Sequence, residues 1–400
     1  MNRKLKTLVA VLGAAGMGLA ASQAQAQDKV KIGFITDMSS LYADVEGKNG
    51  ALAIQMAIDD FGGKVLGKPI ELLSADHQNK ADIAASKARE WIDTQGLTML
   101  FGGTQSGTAL AMAEIAKEKK RVFFDSGAGS SALTNDQCSP YTVHYAYDTV
   151  ALAKGTGSAV VKQGGKSWFF LTADYAFGAA LEADTARVVK ENGGTVVGSV
   201  KHPLNASDFS SFLLQAQNSK AQVLGLANAG GDLINSIKAA KEFGITKSMK
   251  LVGLLVFITD VHSLGLKNTE GLLLTTSWDW NLNDQTRAFG KKFFEKAKRM
   301  PTDIQAADYS ATMNYLKAVQ AAGTTDADKV MAKLKSTPID DFYAKGVIRP
   351  DGRFAHDMYL MQVKSQKESQ QPWDYYKVVA KLPADQVWTT KAESKCALWK

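Results

Sequence analysis

Residues 167–201, SWFFLTADYAFGAALEADTARVVKENGGTVVGSVK, contain a complete strand–helix–strand unit. An aromatic and aliphatic run over 167–172 predicts a strand, apolar spacing of three and four residues over 178–191 predicts a helix, and 195–201 predicts a second strand. Gly193 and Gly194 follow the helix at a place where a left-handed residue commonly ends one. Because strands that alternate with helices usually pair in parallel, this unit predicts an α/β fold.

The same alternation extends in both directions from this unit. Downstream, a helix, a strand, a helix and a strand are predicted at 209–218, 222–226, 232–243 and 251–255. Upstream, a separate series has strands at 31–35, 69–74, 98–102 and 121–125, with helices at 51–61, 82–94 and 107–119. Two such series predict two doubly wound parallel-sheet lobes.

The last third of the chain breaks this alternation. Two helical stretches, 284–298 and 304–322, follow each other, and a strand-like pair at 345–349 and 358–363 flanks a turn signal at Asp351-Gly352. We infer that the chain recrosses between the lobes. The expected division is 28–147 with 280–342 for lobe 1, 148–279 with 343–385 for lobe 2, and 386–400 for a C-terminal tail.

The first 26 residues are predicted to form a cleavable signal peptide. Basic residues at positions 3, 4 and 6 precede an apolar run over 8–21, and Ala24 and Ala26 fit an A-x-A cleavage site. The run is too short to span a bilayer, and no cysteine follows it to receive a lipid. We therefore expect a periplasmic protein that begins at Gln27, with cleavage after Ala24 as the alternative.

Charge and cysteine content restrict the function further. The 400-residue chain has a formal net charge of +7, which falls to +4 when the three basic residues of the leader are removed, leaving 44 Lys and Arg against 40 Asp and Glu. The basic residues form no stripe, which disfavours nucleic-acid binding. Cys138 and Cys396 are the only cysteines. In an exported chain they predict a disulfide that ties the tail to lobe 1, with a metal site or a catalytic thiol as the alternative.

The sequence offers little support for catalysis. It contains no Walker loop, no G-x-S-x-G elbow and no H-E-x-x-H, and its five histidines lack the spacing of metal ligands. Gly127-x-Gly129-x-x-Ala132 matches a dinucleotide fingerprint, but it follows the fourth strand and leads into a loop. We predict no catalytic residue, no metal and no cofactor, with an exported α/β hydrolase as the alternative class.

Three loops at the predicted carboxyl ends of strands are the candidate ligand contacts, because open parallel sheets bind ligands there. They cover residues 36–44, 101–107 and 125–132. Ser106 is placed to cap the next helix and to leave amide N–H groups for an anion, although an ordinary cap without a ligand fits as well. The small residues of 125–132 allow the backbone to approach a polar ligand.

Five stretches resemble the leucine/isoleucine/valine-type binding proteins of ABC transporters. They are GFITDMSS (33–40), FGGTQS (101–106), SGAGSSALT (126–134), DYAFG (174–178) and SDFS (207–210). The resemblance implies a type I periplasmic-binding fold, in which two α/β lobes are joined by three crossovers and hold a small molecule between them. It also implies an ABC permease and ATPase as partners. We expect a monomer without enzymatic activity.

The resemblance also assigns candidate ligand contacts. The family's carboxylate-holding groups fall on Ser106, the backbone of Ala128 and Gly129, and Ser130. Tyr42 and Tyr175 match aromatic positions in the cleft. Asn228 and Ala229 belong to a loop that matches another wall, where amino-acid binders often have tyrosine in place of Ala229.

One departure from the family pattern bears on the ligand. Amino-acid binders place a glutamate for the ligand's ammonium group where this chain has Leu254–Phe257. Together with Phe257 and Trp278, this departure resembles a branch associated with aromatic carboxylic acids, although hinge packing explains the tryptophan equally well. An amino acid, an amide or urea remains the alternative ligand, and sensing through a partner protein is the alternative role. Four acidic residues could replace the glutamate: Asp174, Asp232, Asp260 and Asp279.

Export through this leader predicts a defined N-terminus for the mature protein. The mature protein recovered from the periplasm should begin at Gln27, or at Gln25 if the peptidase cuts after Ala24. N-terminal sequencing measures this directly. A membrane-bound product that retains Met1 would contradict the predicted leader.

Overall fold

A computed structural model describes residues 29–400, and the predicted signal peptide lies outside the described residues. The first sheet has the strand order β2-β3-β1-β4-β5-β6, in which all pairs are parallel except β2 with β3. Its elements are β1 (Val30–Thr36), α1 (Gly47–Phe61), β2 (Lys64–Val65), β3 (Lys68–Asp76), α2 (Ala81–Gln95), β4 (Met99–Gly102), α3 (Ser106–Glu118), β5 (Val122–Asp125) and β6 (Thr142–His144). The predicted first series is confirmed.

The second sheet is parallel throughout and has the order β10-β9-β7-β8. Its region contains α4 (Thr149–Leu152), α5 (Ser158–Lys162), β7 (Ser167–Ala173), α6 (Ala176–Glu191), β8 (Thr195–His202), α7 (Ser210–Asn218), β9 (Val223–Ala227), α8 (Gly230–Glu242), β10 (Lys250–Gly253), α9 (Ile258–Leu264), α10 (Leu266–Thr269) and β11 (Leu273–Thr276). Gly193 has φ 77° and ends α6 as predicted, whereas Gly194 permits close packing against Lys166.

The last third returns to both lobes. It contains α11 (Asp284–Ala297), α12 (Asp303–Ala322), α13 (Ala327–Ser336), β12 (Ile339–Asp340), β13 (Lys345–Ile348), β14 (Phe354–His356), β15 (Met358–Val363), β16 (Tyr376–Leu382) and α14 (Ala384–Val387). Helix α12 packs on α1 of the first lobe, whereas β15 pairs with β11 of the second. The chain therefore crosses between the lobes three times, the number that the family resemblance implies, after β6, after β11 and after β14. No helix between residues 29 and 400 is long and apolar enough to cross a membrane.

The predicted strand pair in this region was partly wrong. The turn at Asp351-Gly352 is present, with Gly352 at φ 88°, but β13 pairs with β14 and not with residues 358–363. Residues 358–363 form β15, which pairs with β11 and β16. The reason is the third crossover, because the chain leaves the hairpin after His356 and enters the other lobe.

Hairpin β13–β14 lies beside the first sheet. The amide of His144 in β6 donates to the carbonyl of Gly352 at 3.0 Å, and His144 forms a parallel bridge with Arg353. The sequence assigned 343–385 to the second lobe. We propose instead that lobe 1 extends to His356 and that lobe 2 resumes at β15.

Buried Arg353 fixes the first crossover. Its guanidinium donates to the carbonyls of His144 and Tyr147 at 3.0 and 3.2 Å and to the carboxylate of Asp148 at 3.0 Å. Asp148 in turn accepts from the amide of Ala151 at the start of α4. A buried charge needs such partners, so these contacts hold the hairpin, the crossover and the first helix of lobe 2 together.

The predicted disulfide between Cys138 and Cys396 is confirmed, with Cα atoms 5.7 Å apart. Nearby, the amide of Lys395 donates to the side chain of Asn135 at 2.6 Å. The guanidinium of Arg353 also lies 4.5 Å from the centre of the Trp388 ring. The C-terminal tail is therefore attached both to the loop that precedes β6 and to the crossover.

Loss of this disulfide should cost stability. Cys138→Ser with Cys396→Ser is expected to lower the free energy of unfolding by about 2–4 kcal/mol, because the closed loop is long and the unfolded chain gains freedom. Urea unfolding followed by circular dichroism measures the change, with the parent protein under reducing conditions as the control. Two free thiols in the oxidised, denatured parent would contradict the bond.

Candidate functional site

A closed cavity lies between the two lobes at the carboxyl ends of their parallel strands. Its free volume in this closed form is about 10 Å³. This is room for about one water molecule and far below the range of about 300–1,000 Å³ usual for drug-sized ligands, so the lobes must move apart to admit a ligand. It is lined by Tyr42, Val45, Thr104, Gly127, Gly129, Tyr147, Tyr175, Phe177, Ala229, Leu255 and Phe257.

The loop after β1 places Tyr42 in this cavity. The carboxylate of Asp37 accepts hydrogen bonds from the amides of Ser40 and Tyr42 at 2.9 and 2.8 Å, and from the side chain of Asn79 at 2.9 Å. These bonds fold residues 37–42 into a fixed turn, as aspartate side chains commonly do. The segment Thr-Asp-Met-Ser-Ser thus determines where Tyr42 stands in the lobe 1 wall of the cavity.

Tyr42 and Tyr175 meet across the cleft. Their hydroxyl oxygens are 2.6 Å apart, and Tyr42 belongs to lobe 1 whereas Tyr175 precedes α6 of lobe 2. Burial raises the pKa of both phenols, so both stay neutral and one donates to the other. Ser131 of lobe 1 likewise donates to Asp184 of lobe 2 at 2.9 Å. The structure therefore describes the closed form.

The predicted carboxylate-binding loops are adjacent, but only part of them reaches the cavity. The amide of Ser130 donates to the hydroxyl of Ser106 at 3.2 Å, and the amide of Ala128 donates to Asp125 at 3.0 Å. Gly129 lines the cavity, and a side chain there would collide with Phe177 and Tyr147. Ser106, Ala128 and Ser130 lie behind that surface, so their ligand contacts remain a prediction.

Helix α3 is capped differently from the expectation. The N-cap is Gln105, whose side-chain oxygen accepts the amide hydrogen of Thr108 at 2.9 Å, whereas Ser106 is the first helical residue. Gln105 has an extended backbone that directs its side chain back to the helix start. The hydroxyl of Ser106 is consequently available to Ser130.

The lobe 2 wall contains some of the predicted residues. Ala229 and Phe257 line the cavity. Asn228 is buried behind it and donates to His202 and Ser236 at 3.1 and 3.3 Å. Asn228 therefore supports the wall and does not form its surface.

Trp278 packs at the hinge instead of in this cavity. Its ring makes edge contacts with Phe289 and Phe342, with centroid distances of 5.9 and 6.2 Å, and its indole N–H donates to the carbonyl of Phe342. Trp278 instead borders a second cavity of about 10 Å³, which Phe257 also lines. Of the two explanations offered by the sequence, hinge packing describes this tryptophan.

Six cavity residues were not singled out from the sequence, although Thr104 and Gly127 lie within the candidate loops. Tyr147 lies in the first crossover, where no sequence motif marks it. Its hydroxyl donates to the carbonyl of Gly127 at 2.6 Å. Thr104, Gly127 and Phe177 lie inside the stretches that carry the family resemblance, so those motifs contained the signal. The remaining two are Val45 and Leu255.

Four aspartates were possible substitutes for the missing glutamate, and none lines the cavity. Asp174 pairs at the surface with Lys201 at 3.0 Å. Asp232 accepts the amide hydrogens of Asn205 and Ala206 at 3.0 and 3.2 Å, which holds the loop before α7.

The other two aspartates are buried and occupied by backbone groups. Asp260 accepts the amide hydrogen of Phe257 at 2.8 Å, and Asp279 accepts that of Asn281 at 2.9 Å. Burial raises the pKa of each carboxyl to about 7. Within residues 29–400, the cavity lining therefore contains no Asp, Glu, Lys, Arg or His, and no group of three or more His, Cys, Asp or Glu side chains could hold a metal ion.

Comparison with known proteins gives a consistent result. A family model described as periplasmic binding protein matches residues 29–369. A periplasmic binding protein from Burkholderia mallei is 69% identical, with a TM-score of 0.93 over 93% of this chain and 100% of that one.

Two further solved structures differ in what their names state. A branched-chain amino acid ABC transporter ligand-binding protein from Burkholderia xenovorans LB400 is 42% identical, with a TM-score of 0.83 over 93% of this chain and 100% of that one. An ABC transporter solute-binding protein from Rhodopseudomonas palustris BisB5, in complex with 3,4-dihydroxybenzoic acid, is 24% identical, with a TM-score of 0.80 over 90% of this chain and 98% of that one.

The hydrogen bond across the cleft should contribute to closure. Tyr42→Phe or Tyr175→Phe leaves one buried hydroxyl unpaired, a cost of about 1–3 kcal/mol, and is expected to lower ligand affinity about five- to hundredfold. Calorimetry on whichever of benzoate and leucine the parent binds measures the loss.

A double variant and a control separate this bond from general damage. Tyr42→Phe with Tyr175→Phe removes both hydroxyls and should lose less affinity than the two single losses combined. Tyr359→Phe, in β15 away from the cavity, should bind like the parent. Two single variants with parental affinity would show that the bond does not hold the cleft closed.

Proposed function

The chain belongs to the periplasmic binding protein family, and from this we propose that it is the extracytoplasmic receptor of an ABC importer for a small, preferably aromatic, carboxylate. In this role it reaches the periplasm through its leader, acts as a monomer and delivers its ligand to a permease and ATPase complex. The family and fold are those of solute-binding proteins and not of enzymes.

The observation that carries the ligand proposal is the aromatic, uncharged lining of the cavity. Five of its residues are aromatic: Tyr42, Tyr147, Tyr175, Phe177 and Phe257. Aromatic side chains pack well against a flat ring in stacked or edge-on arrangements. An α-ammonium group closed into this cavity would lose its hydration without meeting a carboxylate in the wall, which costs several kcal/mol.

Polar groups for a carboxylate come from lobe 1. Thr104 and Gly129 line the cavity, and Ser106 and the start of α3 lie directly behind them. A helix start and the amides of a glycine-rich loop favour an anion without needing a cationic side chain. An acid would therefore lie with its carboxylate toward lobe 1 and its ring among the tyrosines and phenylalanines.

The printed names of the relatives support two ligand classes. The Burkholderia xenovorans protein is named for branched-chain amino acids, whereas the Rhodopseudomonas palustris protein holds an aromatic acid. The absence of an acidic residue from the lining favours the second class for this chain. Recovery of the bound solute chemically unchanged after prolonged incubation would distinguish a receptor from the alternative hydrolase.

Calorimetric titration tests the ligand class. Benzoate and 3,4-dihydroxybenzoate are expected to bind at least about a hundredfold more tightly than leucine. The reason is that an unpaired ammonium group costs at least about 3 kcal/mol in this cavity. Submicromolar binding of leucine without any response to either aromatic acid would contradict the assignment.

A matched pair of variants tests the physical reason. Leu255→Glu places a carboxylate in the cavity wall and should weaken benzoate binding while improving that of leucine. Leu255→Gln adds similar volume without charge and should not improve leucine binding. Equal effects of both variants would show that volume, and not charge, determines the ligand.

A further inference from the structure

Glu46 lies directly behind the lobe 1 wall of the cavity and contacts it through Thr104. Its Oε2 accepts short hydrogen bonds from the hydroxyls of Thr36 and Thr104, and these two hydroxyls also contact each other. Thr104 lines the cavity, whereas Thr36 ends β1. Glu46 Oε2 and the two threonine hydroxyl oxygens thus form a triangle of mutual contacts, and one of the three residues, Thr104, lines the cavity.

The other oxygen of Glu46 has no hydrogen-bond partner in the part of the chain that the structure describes. Oε1 is buried without a hydrogen bond and lies 3.2 Å from the point where a Cβ of cavity-lining Gly127 would stand. Glu46 itself is fully buried. An ionised carboxylate in this position has incomplete hydrogen bonding, which favours the neutral form.

The groups that face Glu46 are acidic or neutral. They approach from the loop after β1, the end of β5, the first crossover and α12, and they are Asp37, Asp125, Tyr147 and Asp308. Burial raises the pKa of Glu46 to about 7, the bonds from Thr104 and Thr36 oppose this increase, and the charge of Asp37 adds to it. Burial raises the pKa of the neighbouring Asp125 carboxyl well above its usual range, and the charge of Arg353 opposes this increase only in part.

The proton on Glu46 decides which hydrogen-bonding group Thr104 offers to the ligand. When Glu46 is ionised, its Oε2 takes the hydrogens of both threonine hydroxyls, so that Thr104 faces the cavity with lone pairs. When Glu46 is protonated, its carboxyl group supplies a hydrogen of its own to the hydrogen bonds among these three oxygens. The hydroxyl of Thr104 can then donate a hydrogen bond into the cavity. A carboxylate needs this donor and is repelled by an ionised Glu46 behind it.

We propose that a carboxylate ligand binds at Thr104 when Glu46 carries a proton, so that ligand binding takes up one proton from the solvent. Glu46 is thereby a positioning residue that selects anions through Thr104. This inference rests on the proposed carboxylate-binding function. It adds a proton-linked residue to that site.

The proposal predicts a specific pH profile. The ligand favours the protonated form, so affinity should be constant below about pH 7 and should fall by up to tenfold for each pH unit above it. Benzoate is ionised throughout pH 6–9 and contributes no proton of its own. Calorimetry in buffers of different ionisation enthalpy should measure an uptake that approaches one proton per ligand near pH 8.

Three variants isolate the role of Glu46. Glu46→Gln is a neutral isostere of the protonated form, so at pH 8.5 it should bind benzoate as tightly as the parent does at pH 6, without proton uptake. Thr104→Val should bind about tenfold or more weakly at pH 6, because it lacks the donor, and should retain only the weaker pH dependence that comes from repulsion by ionised Glu46. Asp279→Asn changes another buried carboxyl, outside the cavity lining, and should retain the parental profile. Circular dichroism establishes that each variant is folded.

The outcomes separate this inference from the proposed function. Parental pH dependence and proton uptake in Glu46→Gln would overturn the role of Glu46 while leaving carboxylate binding intact. Leucine, which also has a carboxylate, replaces benzoate as the probe if the parent binds leucine alone. If the parent protein binds none of benzoate, 3,4-dihydroxybenzoate and leucine, both the proposed function and this inference are contradicted.

Discussion

A charged group that is closed into a cleft loses its hydration and must gain hydrogen bonds or an opposite charge from the walls. Here five of the eleven residues that line the cavity are aromatic, and the polar groups at the cavity surface are concentrated on lobe 1. That distribution accommodates one anionic end and a flat apolar body, but it gives an ammonium group no charged partner. The position of Glu46 is consistent with this constraint, because it stands behind Thr104 and not in the cavity surface.

Buried polar and covalent contacts hold the region of the hinge together. Buried Arg353 joins β6, hairpin β13–β14 and the first crossover through hydrogen bonds and an ion pair. The disulfide between Cys138 and Cys396 attaches the tail to a loop of lobe 1. These contacts lie around the hinge, whereas the cleft itself is crossed by a few polar contacts such as Tyr42 with Tyr175. Those few contacts join the two lobes across the cleft in this closed form.

The sequence predicted the strands and helices around the cleft because hydrophobic periodicity and glycine positions are local signals. The bounds of β1 and α6 differ from the prediction by two residues or fewer. Helix α1 begins four residues earlier than expected, at Gly47, because tertiary packing overrides the poor helix propensity of glycine. At Gly50, a side chain would collide with Phe34 and Asp308. Such contacts between distant residues cannot be inferred from local pattern.

The site was predicted less completely for the same reason. Five of the predicted residues line the cavity: Tyr42, Gly129, Tyr175, Ala229 and Phe257. The sequence did not reveal which way an aromatic ring faces. Trp278 therefore looked like a cleft residue although it packs on Phe289 and Phe342. Glu46 precedes a helix, where an acidic residue is ordinary, and only the fold brings it to Thr36 and Thr104.

The central claim is that the cavity selects an acid without an ammonium group. Mass spectrometry of the small molecules released on denaturation of the protein purified from periplasm tests it most directly, since it needs no prior choice of ligand. The account predicts a stoichiometric aromatic or other simple carboxylate. Stoichiometric release of leucine, isoleucine or valine would contradict it.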